Sequence, residues 1–345
     1  MKGLYYHGTH DIRCDTLPDP APKDRGDVLV KMTACSICGS DLHIFEGHMH
    51  NCGFSVGHEA IGEVVEVGSA VTTLKPGDEV IVSAAIGCGR CRPCLARNVM
   101  QCETFSHLQS YGIGWGYEGI QSEAFVVPNG DTNTIRLPDG ISHDQALMLT
   151  DMVPTAWLGV ANADVHPGQT VVVVGLGPIG LTAVEIALNF GAAKVIAIGG
   201  RREERMAIAH DMGAIVLPSE GALEQIMDIT RGIGADSVIE AAGAHEALYL
   251  SLKAVRRGGI VSMIGSNFTQ EFAFPMMDAL LRNIVFKPAL CSSMQYWHQA
   301  IPLIRDGKLR PERMITHRTT LAEAPEAYRL SAAGEPGILK TVIRP

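Results

Sequence analysis

The second half of the chain alternates continuous apolar runs with amphipathic stretches. Thr170–Val174 is an unbroken, mostly β-branched run, which is typical of a strand buried on both faces. From Leu181 to Phe190 the apolar residues recur with helical spacing, and Lys194–Ile198 is a second apolar run. This order predicts a strand–helix–strand unit with parallel strands.

Further short segments continue this alternation. The predicted strands are Ala214–Leu217, Ser237–Glu240 and Gly259–Ile264, and the predicted helices are Ala222–Thr230 and His245–Val255. Strands separated by helices are typical of a doubly wound α/β fold with a parallel sheet.

The first 150 or so residues have a different pattern. Asp27–Met32, Ala60–Gly68 and Asp78–Val82 predict short strands, and turn sequences such as Lys75-Pro76-Gly77-Asp78 separate them. Many short strands divided by turns predict a barrel-like β fold.

Composition narrows the class of protein. A chain of 345 residues with 46% apolar and 19% charged residues predicts a globular protein of two domains. The net charge of −9 disfavours a nucleic-acid partner. We find neither an apolar run of about 18 residues nor the apolar core of a signal peptide, so we expect a cytoplasmic protein without a membrane partner. In such a compartment the nine cysteines favour metal binding over disulfides.

A glycine motif follows the first strand of the second half. The sequence is Gly175-Leu176-Gly177-Pro178-Ile179-Gly180. Between a strand and a helix, this G-x-G-x-x-G pattern lets a dinucleotide pyrophosphate approach the helix N-terminus.

The end of the next strand indicates which dinucleotide binds. An NAD site carries an acid there for the ribose 2′-hydroxyl, whereas this chain has Gly199-Gly200-Arg201-Arg202. Two small residues leave room for a phosphate and two guanidinium groups can bind it. We therefore predict NADP rather than NAD; the alternative is that both arginines are ordinary surface charges.

Two groups of residues suit zinc. Cys38 and His58 are candidate ligands of a catalytic ion, which needs three protein ligands and an open position, so a third ligand must come from elsewhere. Cys88, Cys91, Cys94 and Cys102 have the spacing C-x2-C-x2-C-x7-C, which predicts a closed, structural zinc site. An iron–sulfur cluster and disulfides are the alternatives for the second group.

These marks together resemble the zinc-containing medium-chain alcohol dehydrogenases over nearly the whole chain. The resemblance implies a GroES-like β-barrel catalytic domain (1–153 and 294–345, with a zinc lobe at 87–103) and a Rossmann cofactor domain (154–293). It places Asp151 at the third position of the catalytic zinc, where many members have cysteine. A Cys/His/Asp set is similar to that of bacterial NADP-dependent secondary-alcohol dehydrogenases, although the best-known of these lack an intact four-cysteine lobe. Asp151 as a helix N-cap is the alternative.

The resemblance also implies roles for further residues. Ser40 takes the substrate proton and passes it to the nicotinamide ribose, and His43 delivers it to solvent. Glu59 lies behind the zinc and can offer it a transient contact, while Asp41 orients ligands. Thr155 packs against the nicotinamide and Lys340 lies near the pyrophosphate, with a surface lysine as the alternative. Substrate-pocket candidates are Trp115, Trp157 and Leu290–Met294.

The sequence therefore predicts an NADP-dependent alcohol dehydrogenase with two zinc ions per chain. Its substrate would be a small molecule, namely an alcohol, above all a secondary alcohol, or the corresponding ketone or aldehyde. The protein would form a homotetramer or homodimer. Two alternatives remain. One is an NAD-dependent polyol or amino-alcohol dehydrogenase of the same family, and the other is a zinc-free quinone reductase or a non-catalytic structural relative.

Overall fold

The computed structural model describes residues 1–48, 51–104, 109–114, 116–200, 202–266 and 271–345. The chain forms two compact units, one of Met1–Pro154 with Cys291–Pro345 and one of Thr155–Leu290. The domain boundaries predicted after residues 153 and 293 lie beside these divisions.

The strands, in chain order, are β1 (Lys2–Gly8), β2 (Asp11–Thr16), β3 (Val28–Ser36), β4 (Phe54–Ser55), β5 (Ala60–Val67), β6 (Glu79–Val82), β7 (Ala124–Val127), β8 (Thr134–Arg136), β9 (Thr170–Val174), β10 (Lys194–Gly199), β11 (Ile215–Pro218), β12 (Ala235–Glu240), β13 (Val255–Met263), β14 (Val285–Pro288), β15 (Ile315–Thr320) and β16 (Lys340–Arg344). The helices are α1 (Gly39–Phe45), α2 (Arg92–Leu95), α3 (Gly130–Asn133), α4 (His143–Met148), α5 (Met152–Asn162), α6 (Pro178–Asn189), α7 (Glu203–Asp211), α8 (Ala222–Ile229), α9 (His245–Ala254), α10 (Met276–Arg282), α11 (Trp297–Arg305) and α12 (Ala324–Ala333).

The larger unit is a mostly antiparallel β structure. One sheet has the order β15-β16-β3-β5-β6-β8 with β7 also paired to β3, and a second sheet has the order β2-β1-β4. Alternate residues of β3, including Val28, Val30 and Met32, are buried in the core of this unit. Because β15 and β16 join this sheet, the C-terminal segment belongs to the same unit, and the GroES-like β fold is confirmed.

The smaller unit has a single parallel sheet of six strands in the order β11-β10-β9-β12-β13-β14. Val171, Val172 and Val173 in the centre of β9 are fully buried, which explains the unbroken apolar run. The predicted doubly wound Rossmann fold is confirmed. Helix α6 begins at Pro178, earlier than predicted, because Gly177 is its N-cap and proline suits the first helical turn.

Within the described residues, none of the helices has the length and apolar character that a bilayer crossing requires.

Candidate active site and metal centres

The three residues predicted to hold the catalytic ion lie together, although they come from distant parts of the chain. The Cys38 sulfur lies 3.6 Å from Oδ2 of Asp151, and Nε2 of His58 lies 3.7 Å from the same oxygen. Zinc bonds of about 2.0–2.3 Å at a tetrahedral angle separate such atoms by about 3.3–3.5 Å. The donor set therefore fits one zinc ion.

Local structure explains how the first two residues reach this position. Cys38 is the N-cap of α1, and its backbone N–H donates to Oδ2 of Asp41 at 2.9 Å. His58 follows Gly57, which has a φ of +89°. A Cβ at Gly57 would lie 2.2 Å from the Gln121 side chain, so glycine is required just before the histidine.

Asp41 also orients His58. Its Oδ1 lies 3.2 Å from Nδ1 of His58, and neither atom has another hydrogen-bond partner among the described residues. Burial lowers the pKa of His58, but Asp41 and Asp151 outweigh burial and raise it well above its ordinary value. With Nδ1 directed at Asp41, Nε2 is left for the ion, as in other carboxylate–histidine–zinc arrangements.

A buried ion pair lies next to this cluster. Oε2 of Glu59 accepts hydrogen bonds from the hydroxyl of Ser36 and the ammonium of Lys340, and the Glu59 and Lys340 side chains are only 1% and 4% exposed. The surface location considered for Lys340 is therefore wrong. Burial lowers the pKa of Lys340, but Glu59 outweighs this and raises it. A contact of Lys340 with the pyrophosphate stays a prediction.

Two buried residues behind Asp41 escaped the sequence analysis. The Tyr328 hydroxyl donates to Oε1 of Gln121 at 2.7 Å. Nε2 of Gln121 donates to the Ser36 carbonyl at 2.9 Å and lies 3.5 Å from Oδ2 of Asp41. Since Tyr328 and Gln121 lie 207 positions apart and belong to no motif, only the fold reveals this connection.

The four cysteines predicted to form the structural site also lie together in the structure. The sulfurs of Cys88 and Cys94 lie 3.9 Å apart, as do those of Cys91 and Cys102. A tetrahedral site with zinc–sulfur bonds of about 2.3 Å has sulfurs about 3.8 Å apart. A disulfide bond measures only about 2.05 Å. These residues therefore fit a single zinc ion, and the disulfide alternative is wrong.

The base of the lobe is held by a buried asparagine. Oδ1 of Asn133 accepts from the Gly87 N–H at 2.9 Å, and its Nδ2 donates to the Gly87 carbonyl at 3.0 Å. Burial raises the pKa of Cys88, but hydrogen bonds from Thr104 and backbone amides outweigh burial and lower it to about 6. This lobe therefore holds a thiol that ionises readily.

In the smaller unit, the glycine motif has the compact form that a dinucleotide requires. Gly175 has a φ of +97°, and a Cβ on Gly180 would lie 1.8 Å from the Gly175 carbonyl oxygen. Gly177 leaves open space, since a Cβ there would meet nothing within 4 Å. The backbone turn at the start of α6 is therefore shaped for a close ligand.

A cavity of about 160 Å³ lies at the end of β10. Its described lining residues are Leu176, Gly199, Gly200, Arg202 and Arg205. Arg205 was missed by the sequence analysis, although it lies one helical turn after Arg202. Burial, with help from Arg202, lowers the pKa of Arg205 to about 10.

The remaining predicted residues are placed as follows. Ser40 Oγ lies 3.4 Å from Nε2 of His58, and the His43 side chain is 33% exposed. Thr155 is buried in α5, and Trp157 packs edge to face on Phe190 at 5.4 Å, as a core residue does. Arg201 and Trp115 lie outside the described residues.

Comparison with known proteins defines the class first. The model of the alcohol dehydrogenase GroES-like domain matches residues 24–139, and that of zinc-binding dehydrogenases matches residues 178–306. The chain is thus a zinc-dependent dehydrogenase with the medium-chain architecture. A probable zinc-binding alcohol dehydrogenase of Mycobacterium tuberculosis is 38% identical over 100% of this chain and 89% of its own.

Solved structures agree. Alcohol dehydrogenase TADH from Thermus sp. ATN1 has a TM-score of 0.93 at 32% identity, covering 100% of this chain and 99% of its own. A putative zinc-binding dehydrogenase of Sinorhizobium meliloti bound to NADP has a TM-score of 0.83 at 28% identity, with coverages of 100% and 99%. The chain therefore belongs to the zinc-containing medium-chain alcohol dehydrogenases and is an oxidoreductase.

Proposed function

We propose that the protein oxidises alcohols with NADP, secondary alcohols above all, and reduces the corresponding ketones or aldehydes. The reaction is reversible hydride transfer between the carbinol carbon and nicotinamide C4. The observation that carries the cofactor assignment is the cavity beside Gly200, because Arg202 and Arg205 line it and its described lining includes no carboxylate. Asp151 as third ligand supports a secondary-alcohol substrate through the resemblance.

Cys38, His58 and Asp151 would hold the catalytic zinc, which supplies Lewis-acid chemistry that acidifies an alcohol hydroxyl or polarises a carbonyl. Three protein ligands leave the open position that substrate requires. Glu59 fits a transient further contact, since its Oε1 has no hydrogen-bond partner among the described residues whereas Oε2 is engaged. The four lobe cysteines would hold a second, structural zinc, and metal analysis of the purified protein is expected to find two ions per chain.

Two side chains of helix α1 would transfer the substrate proton from the buried site to solvent. Ser40 lies beside the ligand cluster and His43 lies one turn further along α1, where its side chain is partly exposed. Burial and neighbouring His48 lower the pKa of His43, so its imidazole is neutral at pH 7 and can accept a proton. Ser40 would accept the proton at the buried end and His43 would release it to solvent.

A charge placed at Gly200 tests the cofactor assignment. Gly200→Asp should lower kcat/KM for NADP by about 100-fold, because two like charges brought within about 6 Å of each other repel by about 3 kcal/mol at an effective dielectric constant of 20. Gly200→Asn is the matched neutral control and should lose far less, since a Cβ at Gly200 meets nothing within 4 Å.

Both variants and the natural protein would be assayed with NADP and NAD on primary, secondary and polyol substrates. Equal losses in the Asp and Asn variants would contradict the NADP assignment. Faster turnover of primary alcohols or polyols than of secondary alcohols would contradict the substrate assignment.

A further inference from the structure

A third group of metal-binding side chains lies at the end of α1, outside both zinc centres. Nδ1 of His43 and Nδ1 of His48 are 3.0 Å apart, and Oε2 of Glu46 lies 3.9 Å from Nδ1 of His43. One ligand atom from each residue lies within 4.8 Å of the other two. All three side chains reach solvent.

The backbone brings these side chains together. Glu46 is the C-cap of α1, and Gly47 follows with a φ of +83°. The chain then turns back, so that the His48 N–H donates to the His43 carbonyl at 3.0 Å. A Cβ at Gly47 would lie 2.3 Å from the Thr9 hydroxyl, and glycine therefore permits the turn.

The geometry suits a cation. Two imidazole nitrogens 3.0 Å apart can share one proton, with one ring donating to the other. A metal ion held by both would separate them by about 3.3 Å, given bonds of about 2.05 Å at the tetrahedral angle. Two imidazoles and a carboxylate suit zinc and the neighbouring divalent transition metals, and the carbonyls at a helix C-terminus also favour a positive charge.

We propose that His43, Glu46 and His48 form a surface site for a divalent transition-metal ion such as Zn²⁺. Occupation of this site slows turnover, because the ion takes the Nδ1 of His43. This consequence rests on the proposed function, in which the same imidazole releases the substrate proton.

Metal binding tests the site itself. Holoenzyme carrying its resident zinc would be titrated with Zn²⁺ and the bound metal counted by equilibrium dialysis. The natural protein should bind one additional ion per chain, and His48→Asn should weaken this binding at least about 10-fold, since one of three ligands is lost.

His7→Asn is the matched control, because His7 is also a half-exposed histidine paired with a carboxylate, Asp15 at 2.7 Å, but has no second imidazole against it in the described structure. It should bind the extra ion as the natural protein does. Absence of the extra ion in the natural protein, or equal binding in His48→Asn, would overturn the site.

Rates then test the consequence. Added Zn²⁺ should lower kcat of the natural protein and of His7→Asn, whereas the rate of His48→Asn, compared with its own rate without added metal, should change little. An additional ion that binds without lowering kcat would support the site and overturn the proton route through His43. Failure of the site and failure of the proposed function are thus distinguishable.

Discussion

The two cysteine-containing clusters of the larger unit, each a candidate zinc site, are assembled in opposite ways. The lobe takes four thiols from one short segment, Cys88 to Cys102, and turns of the chain bring them together. The catalytic cluster takes one thiol, one imidazole and one carboxylate from three segments, and Cys38 and Asp151 lie 113 positions apart. The ligand atoms of the lobe are therefore close together in the sequence, whereas those of the catalytic cluster meet only in the folded chain.

Their surroundings differ as well. Behind the catalytic cluster lie the buried Asp41, Gln121 and Tyr328 and the ion pair of Glu59 with Lys340. Burial raises the pKa of the Cys38 thiol. In the lobe, burial raises the pKa of Cys94 to about 12, whereas hydrogen bonds lower that of Cys88 to about 6. The candidate catalytic ligands are therefore positioned by side chains from distant parts of the chain, whereas the lobe rests on its own turns and on Asn133 at its base.

The largest expected effect is on catalysis, and it distinguishes the roles of the two clusters. Cys38→Ser should lower kcat/KM at least about 1000-fold and remove only the catalytic ion, since Lewis-acid stabilisation is lost. Cys91→Ser should remove only the lobe ion and lower Tm, because a structural zinc contributes folding free energy. Metal content, kcat/KM and Tm would be measured on both. Full activity and two ions in Cys38→Ser would refute the ligand assignment.

A second prediction, of intermediate size, tests whether the buried residues behind Asp41 keep the catalytic ligands in place. Tyr328→Phe should weaken binding of the catalytic ion about 10-fold, because outer partners of metal ligands typically matter by that factor or more. The measurement is release of zinc to a competing chelator, with the lobe ion as internal reference.

Tyr111→Phe is the matched control for Tyr328→Phe. Tyr111 is buried in the same core, but its hydroxyl has no hydrogen-bond partner among the described residues. Zinc release should therefore not change in Tyr111→Phe. Equal rates of zinc release from the two variants would show that the hydrogen bond from Tyr328 to Gln121 does not help to hold Asp41 in place.

The smallest effect concerns the turn that supports the lobe. Asp131, two residues before Asn133, accepts four hydrogen bonds from the backbone and hydroxyls of Thr72 and Thr73. Burial raises its pKa, but these hydrogen bonds outweigh burial and lower it. A lowered pKa stabilises the fold above the ordinary value of about 3.9, and this stabilisation is lost as pH falls through the folded value.

Asp131→Asn should therefore cost less than about 1 kcal/mol at pH 7, since the carboxylate is solvent-screened. The cost should begin to fall as pH drops below about 3.9 and should vanish only below the lower pKa of the folded protein. Chemical unfolding at several pH values measures this cost. Asp139→Asn, an exposed carboxylate of the same unit, is the control and should change little. A cost that persists undiminished in acid would exclude ionisation as its source.

Much of the fold followed from residue patterns. The valine run of β9 and the glycine turn before α6 were located correctly because a buried parallel strand needs a continuous apolar sequence and a tight turn needs glycine. The start of α6 was misplaced because the apolar stripe begins after the first turn. Arg205 was missed because the residues considered for the cofactor site ended at Arg202, just before α7 begins.

By itself the sequence determined the fold class of both domains and several of their strands and helices. It also determined the grouping of the four lobe cysteines, because short spacings restrict where neighbouring ligands can go. Cys38 and His58 were also visible in their motifs. Only the tertiary structure decided that Asp151 meets them, that Lys340 is buried against Glu59, and that Tyr328 reaches Asp41 through Gln121. These contacts join residues from 80 to 281 positions apart, and no local spacing encodes which distant side chains a folded core brings into hydrogen-bonding distance.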